Sequence, residues 1–189
     1  YRVHGEDKVK LGYNVNLAVS ARFIREIRAD TGSQPDAVGI PDLLRAQAEA
    51  QGFVPPKMIY DAAAGTGKAM AAVAEATGGQ TQLVAPLIDF EKRSPRFGPS
   101  DFRLSTDGAC LTCPGGQESR IHYASGSGEG EVFRFMAQQC EGCPLWRKCR
   151  DPKADGEGMR QVFISDYRPQ VEAAQAYQKT EEYKADMKR

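Results

Sequence analysis

All five cysteines of this 189-residue chain fall between positions 110 and 149, spaced Cys110-x2-Cys113 and then Cys140-x2-Cys143-x5-Cys149. A Cys-x2-Cys knuckle lets two thiolates meet one ion, and a second knuckle brought alongside completes the tetrahedral shell that Zn2+ prefers. The spacing therefore predicts one structural zinc site with one cysteine to spare. Free buried thiols and disulfides are the competing readings. Against disulfides stand the odd count, a polar N-terminus without secretory character, and a length that buries a core without cross-links.

The second candidate for chemistry is Asp61. It closes the short run Lys57-Met-Ile-Tyr-Asp61, and the small residues Ala62-Ala-Ala-Gly65 after it leave room for a ligand. Hard divalent cations such as Mg2+ take carboxylate oxygens of this kind together with substrate phosphates. A helix N-cap or turn is the equally simple alternative. Gly65-Thr-Gly67-Lys68 looks like part of a phosphate-binding loop, but Ala62 stands where that loop needs its first glycine and Ala69 where it needs Ser or Thr.

Around the last knuckle, Arg147, Lys148 and Arg150 flank Trp146, a combination that meets phosphates and stacks on bases. The alternative is a solvated turn with Trp146 covering the metal site. Of the two histidines, His4 sits in the polar start, and His122 lacks ligand spacing but is an alternative zinc ligand.

These residues need elements to position them. With 41% apolar and 26% charged residues the chain is ordinary globular material, and 25 basic against 25 acidic residues exclude a global field drawing it to nucleic acid or membrane. No apolar run approaches a membrane span. Tyr13, Val15, Leu17 and Val19 alternate with Asn14, Asn16 and Ala18, the pattern of a half-buried strand, and Phe23 to Ala29 returns as its hairpin partner.

Ile40 to Gln51 reads as a helix with Pro41 in its first turn and Gly52 as its stop. A strand at 57–61, a helix at 68–76 and a strand at 81–87 complete an α/β core with a mixed sheet. Residues 89–165 change texture to turns and short strand-like pieces near 102–104, 121–123 and 132–135, the expected carriers of the knuckles. A helix resumes over 167–189 with Pro169 in its first turn. The expected organisation is thus a core at 1–88, a cysteine-rich insertion at 89–165 and a returning helix at 166–189.

Lys10-Leu-Gly-Tyr-Asn-Val-Asn-Leu-Ala-Val19, Ile59-Tyr-Asp61 with Gly65-x-Gly67, Leu111-Thr-Cys113-Pro-Gly-Gly116 and Cys140-x2-Cys143-Pro-Leu-Trp-x2-Cys149 together resemble DDE transposases of bacterial insertion sequences. The resemblance spans nearly the whole chain. It implies a ribonuclease H-like domain with three acidic residues around two Mg2+ or Mn2+ ions, and it makes Asp61 the second aspartate. The first would lie upstream of the Gly-Tyr-Asn-Val strand, where Asp7 is close but lacks a strand. The glutamate would follow Arg189; Glu181 and Glu182 precede that place and are not assigned the role.

The resemblance also implies Cys113, Cys140, Cys143 and Cys149 as the zinc set, with Cys110 outside it or as an alternative ligand. It implies double-stranded DNA as partner, a homodimer when intact, a cytoplasmic, nucleoid-associated location and no membrane. The expectation is an interior piece of a transposase, inactive alone. The rival reading is a non-catalytic, zinc-stabilised DNA- or protein-binding module derived from one.

Overall fold

The computed structural model describes residues 12–20, 23–87, 95–150 and 159–188. His4 and Asp7 lie outside them. In chain order the N-terminal elements are β1 (Tyr13–Ser20), β2 (Phe23–Thr31), α1 (Ile40–Gln51), β3 (Lys57–Ile59), α2 (Gly67–Ala76) and β4 (Gln82–Val84). There follow β5 (Arg103–Leu104), β6 (Leu111–Thr112), β7 (Glu118–Ser119), β8 (His122–Ala124) and β9 (Gly130–Phe135). Then come α3 (Ala137–Cys140), α4 (Trp146–Cys149), β10 (Arg160–Ser165), α5 (Arg168–Tyr177) and α6 (Glu181–Asp186). The chain divides into two compact units, Tyr1–Ile88 with Pro169–Arg189, and Asp89–Arg168.

In the first unit α1 begins with Pro at its first turn and ends where Gly52 turns left-handed, φ 62°. Thr66 caps α2 by accepting from the Ala69 amide at 3.2 Å. Ile40 and Leu44 of α1, Val73 of α2, Ala64, Leu83 and Ala85 form the core. Beside it β3 and β4 pair in parallel, as a strand–helix–strand crossover requires.

The architecture is α/β, yet the single mixed sheet expected from the sequence does not form among the described residues. The β1–β2 hairpin and the β3–β4 pair are separate two-stranded sheets.

The hairpin overturns another expectation. Its apolar set faces out, with Tyr13, Val15, Leu17, Val19 and Ile27 exposed, while Asn16 and Ala18 are buried. The reason lies in α1, whose apolar stripe is already spent on the core. It meets the hairpin through a polar contact instead, Arg28 of β2 pairing with Asp42 of α1 at 3.1 Å; Arg28 also pairs with Asp30 of its own strand at 2.8 Å, and the hydroxyl of Tyr60, just after β3, donates to Asn16 Oδ1 at 2.9 Å.

The helix expected over 167–189 is two helices, because Thr180 starts α6 afresh by accepting from the Tyr183 amide at 3.2 Å. Both are tied to β3. Lys57 Nζ donates to Tyr177 Oη (2.7 Å), to Asp186 Oδ2 (2.9 Å) and to Glu182, and Tyr177 donates to Asp186 at 2.7 Å.

The second unit holds two antiparallel three-stranded sheets, ordered β5-β6-β7 and β10-β9-β8. Strand β10 carries no clear mark in the sequence. Its alternation puts Val162 and Ile164 beside Phe102, Leu111, Phe133 and Phe135 in one core, and Cys113, Cys140 and Cys149 pack against it.

Candidate functional site

Cys113 leaves β6 into the turn Pro114-Gly-Gly-Gln117. The Gly116 amide donates to the Cys113 carbonyl at 2.9 Å, Cys113 N to Gln117 O at 2.8 Å, and the Gln117 amide reaches back to Cys113 Sγ at 3.3 Å. The second knuckle turns at Gly142, φ 69°, with the Cys143 amide on the Cys140 carbonyl at 3.2 Å; α3 supplies Cys140 and α4 supplies Cys149.

Cys113, Cys140, Cys143 and Cys149 line one cavity of about 30 Å³. That is the scale of one or two water-sized groups. Gly115 belongs to its wall, and a Cβ there would stand 3.3 Å from Cys143 Sγ and 3.6 Å from Cys113 Sγ. Glycine keeps that space open.

Burial pushes the Cys140 and Cys149 thiols up, opposed by Arg150 and Arg160 at Cys140 and by Arg160 at Cys149. The remaining thiols of the cavity act on both. Cys110 is elsewhere: it is buried, its thiol is raised by burial and by Glu118, and its charged neighbours are Glu118, Arg120 and Asp107. His122 is not a cavity residue; it pairs with Glu131 at 2.7 Å and stacks on Phe133.

Four thiols around one small space, with a glycine between two of them, suit a soft, tetrahedral ion in donor chemistry. They surround the space without closing a coordination shell. Among the described residues no three His, Cys, Asp or Glu side chains make a group able to hold a metal ion.

Trp146 lines the same cavity; of the basic residues that follow it, Arg147 and Lys148 are exposed and Arg150 is 2% exposed. Arg150 thus departs from its expected role at a DNA phosphate. Its Nη2 donates inward to the Met159 carbonyl at 2.7 Å, and its guanidinium lies 5.6 Å from the Trp146 ring centre.

In the first unit Asp61 follows β3 and is exposed. Its carboxylate caps the 310 turn Ala62–Ala64, accepting from the Ala63 amide at 2.8 Å. Burial, with Asp36 and Asp61 nearby, pushes the Tyr60 phenol up. The described residues place no group of three carboxylates here, so they do not by themselves form a site for Mg2+. Thr66 and α2 complete a capped turn of ordinary kind, where the sequence imitates a phosphate loop.

Residues 112–189, less than half of the chain, match the family model for the transposase DDE domain. That match supports a DDE transposase fragment. The matched part holds Cys113, Cys140, Cys143 and Cys149; Asp61 and Cys110 fall outside it. No curated protein and no solved structure matches the chain. No helix among the described residues is long and apolar enough to cross a membrane.

Proposed function

We propose that this chain is a piece of a DDE transposase whose parent cuts and joins DNA with divalent metal ions, and that its cysteine-rich part is fastened by zinc. The observation that carries the reading is the family match over 112–189, which includes the cysteine cluster and the returning helices. Asp61 would be one of three catalytic carboxylates. Its position after β3, exposed and beside small residues, suits that role. Arg147 and Lys148, exposed beside Trp146, suit contact with the DNA backbone.

With no three-carboxylate group among its described residues, the chain alone is expected not to nick supercoiled DNA. The full-length parent is expected to do so with Mg2+, and Asp61→Asn is expected to abolish it while keeping the fold, since Asn caps a turn as well as Asp does. Mg2+-dependent nicking by the isolated chain that disappears in Asp61→Ala would refute its inactivity. Full activity of parental Asp61→Asn would remove Asp61 from the catalytic set, whereas a full-length parent that does not nick DNA with Mg2+ would favour the non-catalytic binding module.

Cys113, Cys140, Cys143 and Cys149 would hold Zn2+ as a closed structural shell, with Cys110 outside it. Native mass spectrometry is expected to show one zinc per chain, retained in Cys110→Ser and lost in Cys143→Ser. A metal-free mass with all thiols reduced would refute the zinc reading.

A further inference from the structure

We propose that the outer face of the β10-β9-β8 sheet is a stacking platform for single-stranded DNA, with Tyr123 and Phe163 under the bases and Arg134 at the phosphates. It goes beyond the reading above, which assigns no residue of this sheet, and involves neither Asp61 nor the cysteines.

Strand pairing sets Tyr123 of β8, Val132 of β9 and Phe163 of β10 in one row across the sheet, with Arg134 and Gln161 paired beside it. Their neighbours along the strands, Phe133, Val162 and Ile164, turn the other way into the core. The core is thus complete without the outward row. Tyr123 remains 43% and Phe163 41% exposed.

Both rings lie along the sheet instead of standing off it. The Tyr123 hydroxyl is 3.4 Å from Gln161 Oε1 on β10, and strands two apart are separated by roughly 10 Å, so these side chains reach across β9. Phe163 lies over Gly130 of β9, where an added Cβ would stand 2.9 Å from its Cε2. A sheet face that receives another sheet projects side chains that interdigitate with the partner's. Rings laid down on the sheet offer π-surface instead, and every base has a π-face to set on it.

Charge agrees with that occupant. The Arg134 guanidinium lies 5.1 Å from the Tyr123 ring centre, within one nucleotide's reach of a base stacked there. Neither row contains an acidic residue. A duplex hides its base faces and is held chiefly by many cations on its phosphates. One arginine among aromatic rings suits a single strand, whose bases are free to stack.

The test is fluorescence anisotropy of a labelled oligo-dT strand with the whole chain at low salt, for wild type, Tyr123→Ala, Phe163→Ala, Tyr123→Phe and Arg134→Gln. Each alanine variant is expected to bind about tenfold more weakly, the scale of one lost base–aromatic stack, with the melting temperature within a few degrees of wild type because both rings are exposed. Tyr123→Phe keeps the ring and is expected to retain wild-type affinity, which a loss through the hydroxyl contact would not allow. Arg134→Gln is expected to weaken binding and to flatten its salt dependence. A duplex of the same length is expected to bind more weakly and to be indifferent to the alanine changes. No binding of oligo-dT, binding unchanged in both alanine variants, or duplex binding that falls in step with them would overturn the platform. Each of those results leaves the transposase reading standing, since nicking by the full-length parent tests that separately.

Discussion

At Gly65 the chain passes so close to Pro86 that an added Cβ would stand 1.8 Å from the Pro86 carbonyl oxygen. Backbone lies on both sides, so no side chain can yield. Gly65→Ala is therefore expected to destabilise the protein by about 1–3 kcal/mol or more, the range for forced overpacking, and chemical denaturation reads it directly. A variant as stable as wild type would show that the turn and the Pro86 segment separate easily. The sequence showed that Gly65 breaks the chain after Asp61, but not why: the reason is a neighbour in space. Asp61 is the converse case, since its place after a strand was legible and its cap to Ala63 was one of the two local readings. Its catalytic reading depends on carboxylates that the described residues do not bring to it. Cys110 likewise shares a knuckle with Cys113 by spacing, yet folding puts it among Glu118, Arg120 and Asp107.

Elements with strong local punctuation were readable residue by residue. Pro41 and Gly52 bound α1, and Gly78 and Gly79, both at positive φ, follow α2. The break between α5 and α6 was not readable, because periodicity runs through it and only Thr180 marks the new start. Nor was the tie that holds both helices to β3, whose partners Lys57 and Asp186 lie 129 positions apart. Hydrogen bonds from Lys57 to Glu182, Tyr177 and Asp186 raise its ammonium well above the ordinary lysine value. In the unfolded chain Lys57 loses its proton near pH ~10.4, while the folded protein retains it. Its contribution to stability is thus complete below that value and declines as pH rises above it. The stability difference between wild type and Lys57→Met, followed by denaturant melts from pH 8 to about pH 11, is expected to be constant and then shrink above about pH 10. A difference that widens with pH would contradict the network.

For the whole molecule, alternation tells which residues share a face but not which face is inside. Tyr13, Val15, Leu17 and Val19 do share one, and it is the outer one, because α1 has no apolar surface left to offer them. Paired with Ile24 and Ile27 across the hairpin, they make a continuous apolar face in which Val15 is 60% and Leu17 47% exposed. Contiguous exposed apolar surface on a soluble chain drives association. The isolated chain is therefore expected to self-associate through this hairpin and to bind an apolar dye. Replacing Val15 and Leu17 together by Lys should lower both light scattering and dye fluorescence, and leave the melting temperature within a few degrees, since exposed positions seldom alter stability by more than about 0.5 kcal/mol each. Had the sequence pattern pointed the right way, with these side chains in the core, the same pair would unfold the first unit, because two buried ammonium groups without partners cost several kcal/mol. One double variant thus decides which face of β1 is the inside, a question that a period of two leaves open.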